Sequence, residues 1–536
     1  MSQSRFWWLV ASILVLTAAV YSPALSAPYY LDDLSLYSDP AMMPGGAIRV
    51  LDLARTRTLT YASFLATFRG GGQSAALDHG VNLALFLTLI ALAARLYRKL
   101  IGSRAALAAV AVAALHPIAT EATIYVFARA TLLAALFAIT AWSAWANKRY
   151  WLATLLAAFA MAAKEEAVVL PLFIIGFELI YRRTPVRNLK TLAAPLGTMA
   201  ACGAFFAGRV IYAAQVTPDS GALVGLDGVT SLSYLQAQGR ALWLYAKLLV
   251  LPTGLNFDHT VAVSSDFDLL AATGWLLIAT TVAACFFWSS RWPILFLPIG
   301  ALIFLAPTST VAPLGDIAAE RRMLLPLLCL APVVGYFADR VLPGRRLLYA
   351  VGIFAILFGG LTHQRASTWQ DAEALWGDTV AKSPTKARPK LHLAGALAER
   401  GAITDPAREA LLREAVLVEP GSAGAWGELG FFLLQRHRTA EATDAWQTAH
   451  DLAPDDPTLS VNLGVVLADA AHLDEAEILF REVLQRSPCQ FDARNNLLYV
   501  LRSRGDLEAV RALALPPEGC VLPAGQMEAL SRAAGL

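Results

Sequence analysis

Charge is scarce in this chain. Of 536 residues only 16% are Asp, Glu, Lys or Arg, against 57% hydrophobic, whereas soluble globular proteins are roughly one quarter charged. The mean hydropathy of +0.52 points the same way, and the two argue against a wholly cytosolic enzyme. Cysteine is scarce too, with five residues. Cys202, Cys285 and Cys329 fall in apolar runs, where a thiol packs as a small hydrophobe. No CxxC or histidine-cluster spacing points to structural zinc. No DxD pair sits where a metal site can be defended, so metal dependence stays open. The basic residues form no stripe of the kind that tracks a nucleic acid, which sets that class aside.

Net charge also looks nearly absent, at +2, but that value hides two opposite parts. Residues 1–365 hold 27 basic and 17 acidic residues, whereas 366–536 hold 16 and 24. The first part is long, apolar and basic; the second is ordinary in composition and acidic. The boundary read from the sequence is therefore at Arg365, with a membrane body over 1–365 and a second domain over 366–536.

Apolar runs bounded by charges recur through the first part, as bilayer-spanning helices require. They fall near 6–26, 80–97, 103–115, 127–146, 150–163, 166–181, 191–213, 269–288, 292–306, 322–340 and 346–363, which predicts about eleven spans. Arg5, Arg98, Lys99, Arg104, Lys148, Arg149, Arg182, Arg183, Arg291, Arg340 and Arg345 sit at alternate connections. The opposite connections carry Asp32, Asp33, Asp39, Asp52, Glu121, Asp219, Asp227, Asp266 and Asp316. Basic loops stay cytoplasmic, so the N-terminus is expected inside and everything after residue 365 outside, in the periplasm or a lumen. A bacterial inner membrane is the expected location. Arg5, the apolar run after it and Ala24-Leu25-Ser26 also resemble a signal peptide; an uncleaved helix is the reading adopted. Residues 237–251 carry Arg240 and Lys247 seven apart, on one helical face, and are expected as an interfacial amphipathic helix.

From about residue 366 a 34-residue period appears. Gly430 recurs as Gly464, Ala442 as Ala476 and Pro454 as Pro488, with Trp446 answered by Phe480. This is the tetratricopeptide spacing: small residues let two helices approach, aromatics fill the gap and proline ends the second helix. A looser unit with Gly395, Leu412, Ala415 and Pro420 precedes them, and Ala372, Trp376 and Pro384 match half a repeat. Residues 491–515 read as a degenerate last unit with a cap. Such solenoids bind protein or peptide on a concave face; a spacer or an oligomerisation surface is the competing role. Cys489 and Cys520 lie where a disulfide is chemically permitted, and the sequence leaves their pairing open.

Four clusters can carry chemistry. Asp32 and Asp33 follow the first span, and two adjacent carboxylates repel, which raises the pKa of one. A carboxylate there can act as a general base; a solvated helix-capping pair is the alternative. His116-Pro117-Ile118-Ala119-Thr120-Glu121, running on to Tyr125 and Arg129, is the second. Lys164-Glu165-Glu166 is the third, and Glu320-Arg321-Arg322, entering a span, the fourth. Arginines on the face opposite the basic loops suit an anionic partner such as a lipid-linked phosphate. The alternative for each is an internal salt bridge, above all for Lys164 with Glu165. Against four independent salt bridges stands their placement on one face.

In order, the motifs are an acidic pair after the first span, HPxxTE with a downstream arginine, AKE, AER before a span, then tetratricopeptide repeats. This order resembles the transmembrane and tetratricopeptide-repeat O-mannosyltransferases, membrane glycosyltransferases of the GT-C superfamily, over nearly the whole chain. Departures are Ala119 where the family often has a second histidine, Ala128-Arg129-Ala130-Thr131 in place of a GRAD-like stretch, and Arg322 and Leu324 in place of aromatics. The resemblance implies an all-α fold, a polytopic GT-C-like bundle followed by a tetratricopeptide solenoid. It implies transfer of mannose or a similar sugar from a polyprenyl-phosphate carrier to a Ser or Thr hydroxyl of a protein engaged by the repeats. It further implies Asp33 or Asp32 as general base. Arg321 and Arg129, with His116 and Lys164 supporting, are then expected at the donor phosphate, and Glu121, Glu165 and Glu320 as orienting partners. The rivals are a GT-C transferase acting on a lipid or polysaccharide, and a non-enzymatic membrane-anchored repeat scaffold.

Overall fold

The computed structural model describes residues 1–37, 56–216, 229–264, 266–309, 314–401, 406–517, 520, 522 and 524–535. Asp39, Asp52, Asp219 and Asp227 lie outside the described residues. Every described element is helical, and the chain divides into two compact units, Met1–Lys382 and Ser383–Leu536.

The first unit begins with α1 (Gln3–Val20), the short α2 (Asp32–Leu36) and α3 (Thr58–Gly71). Next come α4 (Ala75–Ile101), α5 (Ser103–Leu115), α6 (Thr120–Ile124) and α7 (Arg129–Ala146). The caps explain these boundaries. The Ser74 hydroxyl accepts from the Leu77 amide at the start of α4, and Gly102 ends it at φ 79°, a conformation that costs a glycine little. Then α8 (Tyr150–Ala163) leads through the 3-10 turn Glu165–Val169 to α9 (Leu170–Gly176), α10 (Val186–Leu189) and α11 (Ala193–Val216). The unit closes with α12 (Ser231–Val250), α13 (Leu269–Ser289), α14 (Phe296–Leu305), α15 (Leu324–Val341), α16 (Arg345–Thr368) and α17 (Ala372–Lys382).

The alanine-rich α5 is the centre of the bundle, buried along nearly its whole length. Small residues allow the close approach: a Cβ on Gly335 of α15 would lie 2.2 Å from the Ala105 carbonyl oxygen. Packing of this kind, rather than apolar-against-water patterning, joins helices that are apolar all round.

All eleven predicted apolar segments are helical. Among the described residues seven helices are long and apolar enough to cross a membrane. These are Gln3–Ser26, Ala75–Ile101, Val126–Ala146, Val186–Val216, Leu269–Ser289, Glu320–Val341 and Arg345–Thr368. The difference from eleven has a geometric cause. Ser103–Leu115 and Pro117–Ile124 form one pair bent by 51°, while Tyr150–Ala163 and Pro293–Thr308 are apolar but short. The 166–181 run is broken into 3-10, α and π turns.

The segment expected as an interfacial amphipathic helix is not among the helices apolar enough to cross a membrane, and it packs on the bundle. One face of α12 is buried, and its backbone touches α13: a Cβ on Gly239 would sit 2.3 Å from the Ala271 oxygen. Its Arg240 pairs with Asp268, the N-cap of α13.

The division between the units falls at Lys382, not at Arg365. Arg365 pairs with Asp378 at 2.8 Å, and Lys382 donates to the Leu255 carbonyl at 2.8 Å. Trp369 and Trp376 pack on Phe257 at centroid distances of 4.7 and 5.3 Å. The half-repeat read at Ala372–Pro384 thus supplies α17 to the first unit.

The second unit is a run of helical hairpins. Their pairs are α18 (Ala387–Glu399) with α19 (Pro406–Val418), α20 (Ala423–Gln435) with α21 (Thr439–Leu452), and α22 (Pro457–Asp469) with α23 (Leu473–Arg486). A shorter pair follows, α24 (Phe491–Ser503) with α25 (Leu507–Leu513), and α26 (Ala524–Ala534) packs on α24. Gly430 and Gly464 perform the task their period implied: a Cβ there would lie 2.7 Å from Trp446 and 2.6 Å from Phe480. The turns repeat as well. His437, Ala471 and Gly505, each 34 residues apart, all take positive φ (58°, 66° and 77°). The next residue's amide bonds back in every case, Arg438 to Leu433, His472 to Leu467 and Asp506 to Leu501, which closes the first helix with a Schellman turn. Cys489 and Cys520 are joined, with a Cα–Cα distance of 5.4 Å, tying the start of α24 to the segment before α26.

Candidate functional site

The two aspartates open α2, and the backbone before them is strained. Leu31 sits at φ 47° and ψ −118°, a conformation that a branched L residue adopts only when its surroundings impose it, and such strain concentrates at functional sites. Asp33 is fully buried. One of its carboxylate oxygens accepts from the Tyr30 amide at 3.1 Å and the other from the Phe127 amide at 2.7 Å. Burial pushes its carboxyl up to about 8, against the pull of those amides. Asp32 is exposed. Its Oδ2 accepts from the Tyr125 hydroxyl at 2.9 Å, and its amide donates to the same hydroxyl at 3.2 Å. The neighbours therefore differ in role: Asp33 anchors α2 to the 126–128 turn, and Asp32 presents a carboxylate to solvent.

Arg321 reaches the same place from the 3-10 turn that leads into α15. Its guanidinium lies 5.8 Å from the Tyr125 ring centroid. Nη1 pairs with the buried Glu121, whose Oε2 also accepts the Arg321 amide at 3.0 Å, and Nη2 pairs with Asp316 at 2.6 Å. The segment ahead of Arg321 is clamped by α12. Gln238 donates to the Ile317 carbonyl at 2.9 Å, and the Tyr245 hydroxyl exchanges bonds with both ends of the Ala319 peptide. Arg322 is buried and donates to the carbonyls of Asp316 and Ile317. Glu320 is fully buried; its Oε1 accepts from the Asn256 amide at 2.6 Å and faces His259 Nε2 at 2.9 Å.

Three residues expected at a donor phosphate are placed elsewhere. Arg129 is completely buried, and its donors are committed to Asp78 (2.6 Å), Asn82 (2.9 Å) and Thr67 (3.2 Å), with its guanidinium 4.1 Å above the Phe64 ring. His116 is buried: its Nδ1 accepts from the Ile118 amide at 3.2 Å, and its Nε2 lies 3.0 Å from the Leu249 carbonyl. That pattern fixes a neutral Nε2–H tautomer, which carries no charge toward a phosphate. Lys164 bonds Thr131 at 3.0 Å and pairs with Glu166 at 2.7 Å, not with Glu165. Glu165 pairs with Arg57 instead. Burial works against the Glu165 anion, yet Arg57 holds its carboxyl down at about 2.

The structure thus brings Asp32, Arg321 and Glu121 together around Tyr125, holds Asp33 on two backbone amides and Glu320 on Asn256 and His259, and leaves Arg129, His116 and Lys164 as internal supports. Sequence reasoning missed Arg57, Asp78 and His259 as partners. Arg57 begins α3 at φ 54°, is about a quarter exposed, and lies 5.9 Å from the ring of Phe127, whose amide holds Asp33. No local spacing announces such contacts, because each partner is dozens of residues away. Among the described residues no group of three or more His, Cys, Asp or Glu could hold a metal ion.

Chemically, the site offers the exposed Asp32 carboxylate and the partly exposed Arg321 guanidinium at the same tyrosine. That arrangement can take a proton and stabilise an oxyanion at neighbouring positions.

No protein-family model matches the chain, and comparison with curated proteins gives no match. Among solved structures, MamA is similar at 18% identity over 31% of this chain and 81% of its own, with a TM-score of 0.25. YrrB, described as a TPR protein with an unusual peptide-binding site, is similar at 17% identity over 30% of this chain and 76% of its own, with a TM-score of 0.25. The Cut9–Hcn1 hetero-tetramer of the APC/C is similar at 12% identity over 90% of this chain and 97% of its own, with a TM-score of 0.26. The repeat architecture rests on the hairpins, their glycine–aromatic contacts and their recurring turns.

Proposed function

We propose that this protein is a membrane glycosyltransferase that moves a sugar, mannose or similar, from a polyprenyl-phosphate carrier to a Ser or Thr hydroxyl of a protein acceptor. The observation that carries the reading is the exposed Asp32 carboxylate, linked through Tyr125 to Arg321. The membrane part of the reading is supported by apolar side chains left outside the bundle, among them Phe286, Phe287 and Trp288 on α13 and Ile353, Ile356 and Leu357 on α16. So large an exposed apolar surface needs a lipid or protein cover. The repeats then lie on the periplasmic or lumenal side and hold the acceptor.

In this mechanism Asp32, rather than the buried Asp33, takes the proton of the acceptor hydroxyl. The freed oxygen attacks the anomeric carbon. The bond from that carbon to the phosphate oxygen breaks, its electron pair stays with the leaving polyprenyl phosphate, and the anomeric centre inverts. Arg321 stabilises the leaving phosphate, and Arg57 is the second guanidinium with solvent access, the role earlier expected of Arg129.

The test is transfer by the purified full chain from polyprenyl-phosphate mannose to a Ser/Thr peptide. Asp32→Asn is expected to lower the rate by at least about a hundredfold, the scale of losing a positioned base, with membrane insertion retained. An Asp32→Asn protein as active as wild type sinks the assignment of the base. Wild type that binds neither the donor nor transfers sugar, while its repeats capture a protein, favours the scaffold reading that the hairpins also support.

A further inference from the structure

We infer that Tyr125 is a positioning residue that ties the Asp32 carboxylate to the Arg321 guanidinium across one rigid ring, so that proton acceptor and cation hold a fixed relation. The inference rests on the proposed transfer reaction and names a part of its machinery that no motif assigned.

Every part of Tyr125 is fixed. Its amide bonds the Glu121 carbonyl at 3.1 Å, and its own carbonyl accepts from Asn82 Nδ2 at 3.2 Å, the amide whose oxygen also holds Arg129. The side chain is 2% exposed, and its ring meets Phe257 edge-on at 5.4 Å. Phe257 in turn packs on Tyr30 and Trp369. With backbone and ring immobile, the hydroxyl cannot wander. It clasps Asp32 at two points, donating to Oδ2 and accepting from the backbone amide. Burial and the Asp32 charge push the phenol pKa well up, so it remains a donor across the working range. Arg321 lies 5.8 Å from the centroid of the same ring, and its guanidinium is gripped by Glu121 and Asp316. The charged groups around Asp32 are thus Asp33 beside it, Arg321 at the Tyr125 ring, and Glu121 and Asp316 paired with the arginine.

A ring used in this way separates two functions that different substitutions remove. Tyr125→Phe keeps the ring under Arg321 and loses the clasp on Asp32. Tyr125→Leu loses both. A charge-assisted hydrogen bond corresponds to roughly a 10- to 100-fold change. In steady-state transfer with polyprenyl-phosphate mannose, Tyr125→Phe is therefore expected to lower kcat by at least about tenfold while leaving the donor KM within about twofold, and Tyr125→Leu to damage both. A Tyr125→Phe protein with wild-type kcat, or one that loses kcat and KM together as Tyr125→Leu does, overturns the inference. A second readout is independent of activity: a melting cycle of Tyr125→Phe, Asp32→Asn and the double variant of the full chain. Shifts that overlap support the clasp, and shifts that simply add overturn it. Wild type lacking transfer would remove the proposed function and leave this cycle to decide the Tyr125–Asp32 link alone.

Discussion

Removing Arg129 separates a structural role from a donor-binding one. Its guanidinium is completely buried and bonds Asp78 Oδ1, the Asp78 carbonyl, Asn82 and Thr67. In Arg129→Met the apolar stem is kept and the Asp78 carboxylate stays buried without its cation. The Tyr29 and Tyr37 hydroxyls still donate to it, so part of its solvation survives. Breaking one half of a buried ion pair costs about 3–5 kcal/mol. For a unit of this size that is a fall in Tm of roughly 5 °C. Removing both charges in Arg129→Met with Asp78→Asn is expected to restore a large part of the loss, because no buried charge is left uncompensated. The assay is fluorescence-detected thermal unfolding of the full chain in detergent, alongside donor binding. If Arg129→Met melts like wild type while its donor affinity collapses, the reasoning is refuted and Arg129 belongs to the phosphate site.

Two further predictions concern pH and the repeat turns. The Asp33 carboxyl is raised to about 8, so the folded chain holds its proton more tightly than the unfolded chain does, near 4. The stability this confers is full below about 4 and is lost as pH rises through 8; Asp33→Asn should flatten that decline in a pH series of melting curves, and an unchanged slope contradicts it. Ala471 occupies φ 66° where Gly505 serves in the next repeat, so Ala471→Gly should stabilise the second unit by about 0.5–1 kcal/mol, measured by denaturant unfolding; destabilisation would show that the turn is not strained.

The helical class, the apolar segments and the hairpins were legible because each leaves a short-range signature. A span is a continuous run, and a repeat places Gly430 and Gly464 opposite Trp446 and Phe480 at one fixed period. The turn at His437, Ala471 and Gly505 was not legible, since three chemically unlike residues share one conformation that the hairpin geometry imposes. The domain boundary was misplaced for a related reason: composition changes at Arg365, but Trp369, Trp376 and Lys382 are held by the 255–257 loop more than a hundred residues earlier. In the site, the sequence grouped Asp32, Asp33, Glu121, Glu320 and Arg321 with Arg129, His116, Lys164 and Glu165, and no local spacing says which of these share partners in the fold.

By itself, then, the sequence determined which residues are too costly to bury alone, because ionisable groups in an apolar chain must find partners or solvent. Only the tertiary structure decided which of the two each one found. Arg129 met Asp78, Lys164 met Glu166 and His116 met two backbone groups, so all three are satisfied inside. Asp32 was left open, held by Tyr125 beside Arg321, because α2, the 117–128 turns and the α12-clamped segment before Arg321 meet there, and no local pattern encodes that meeting.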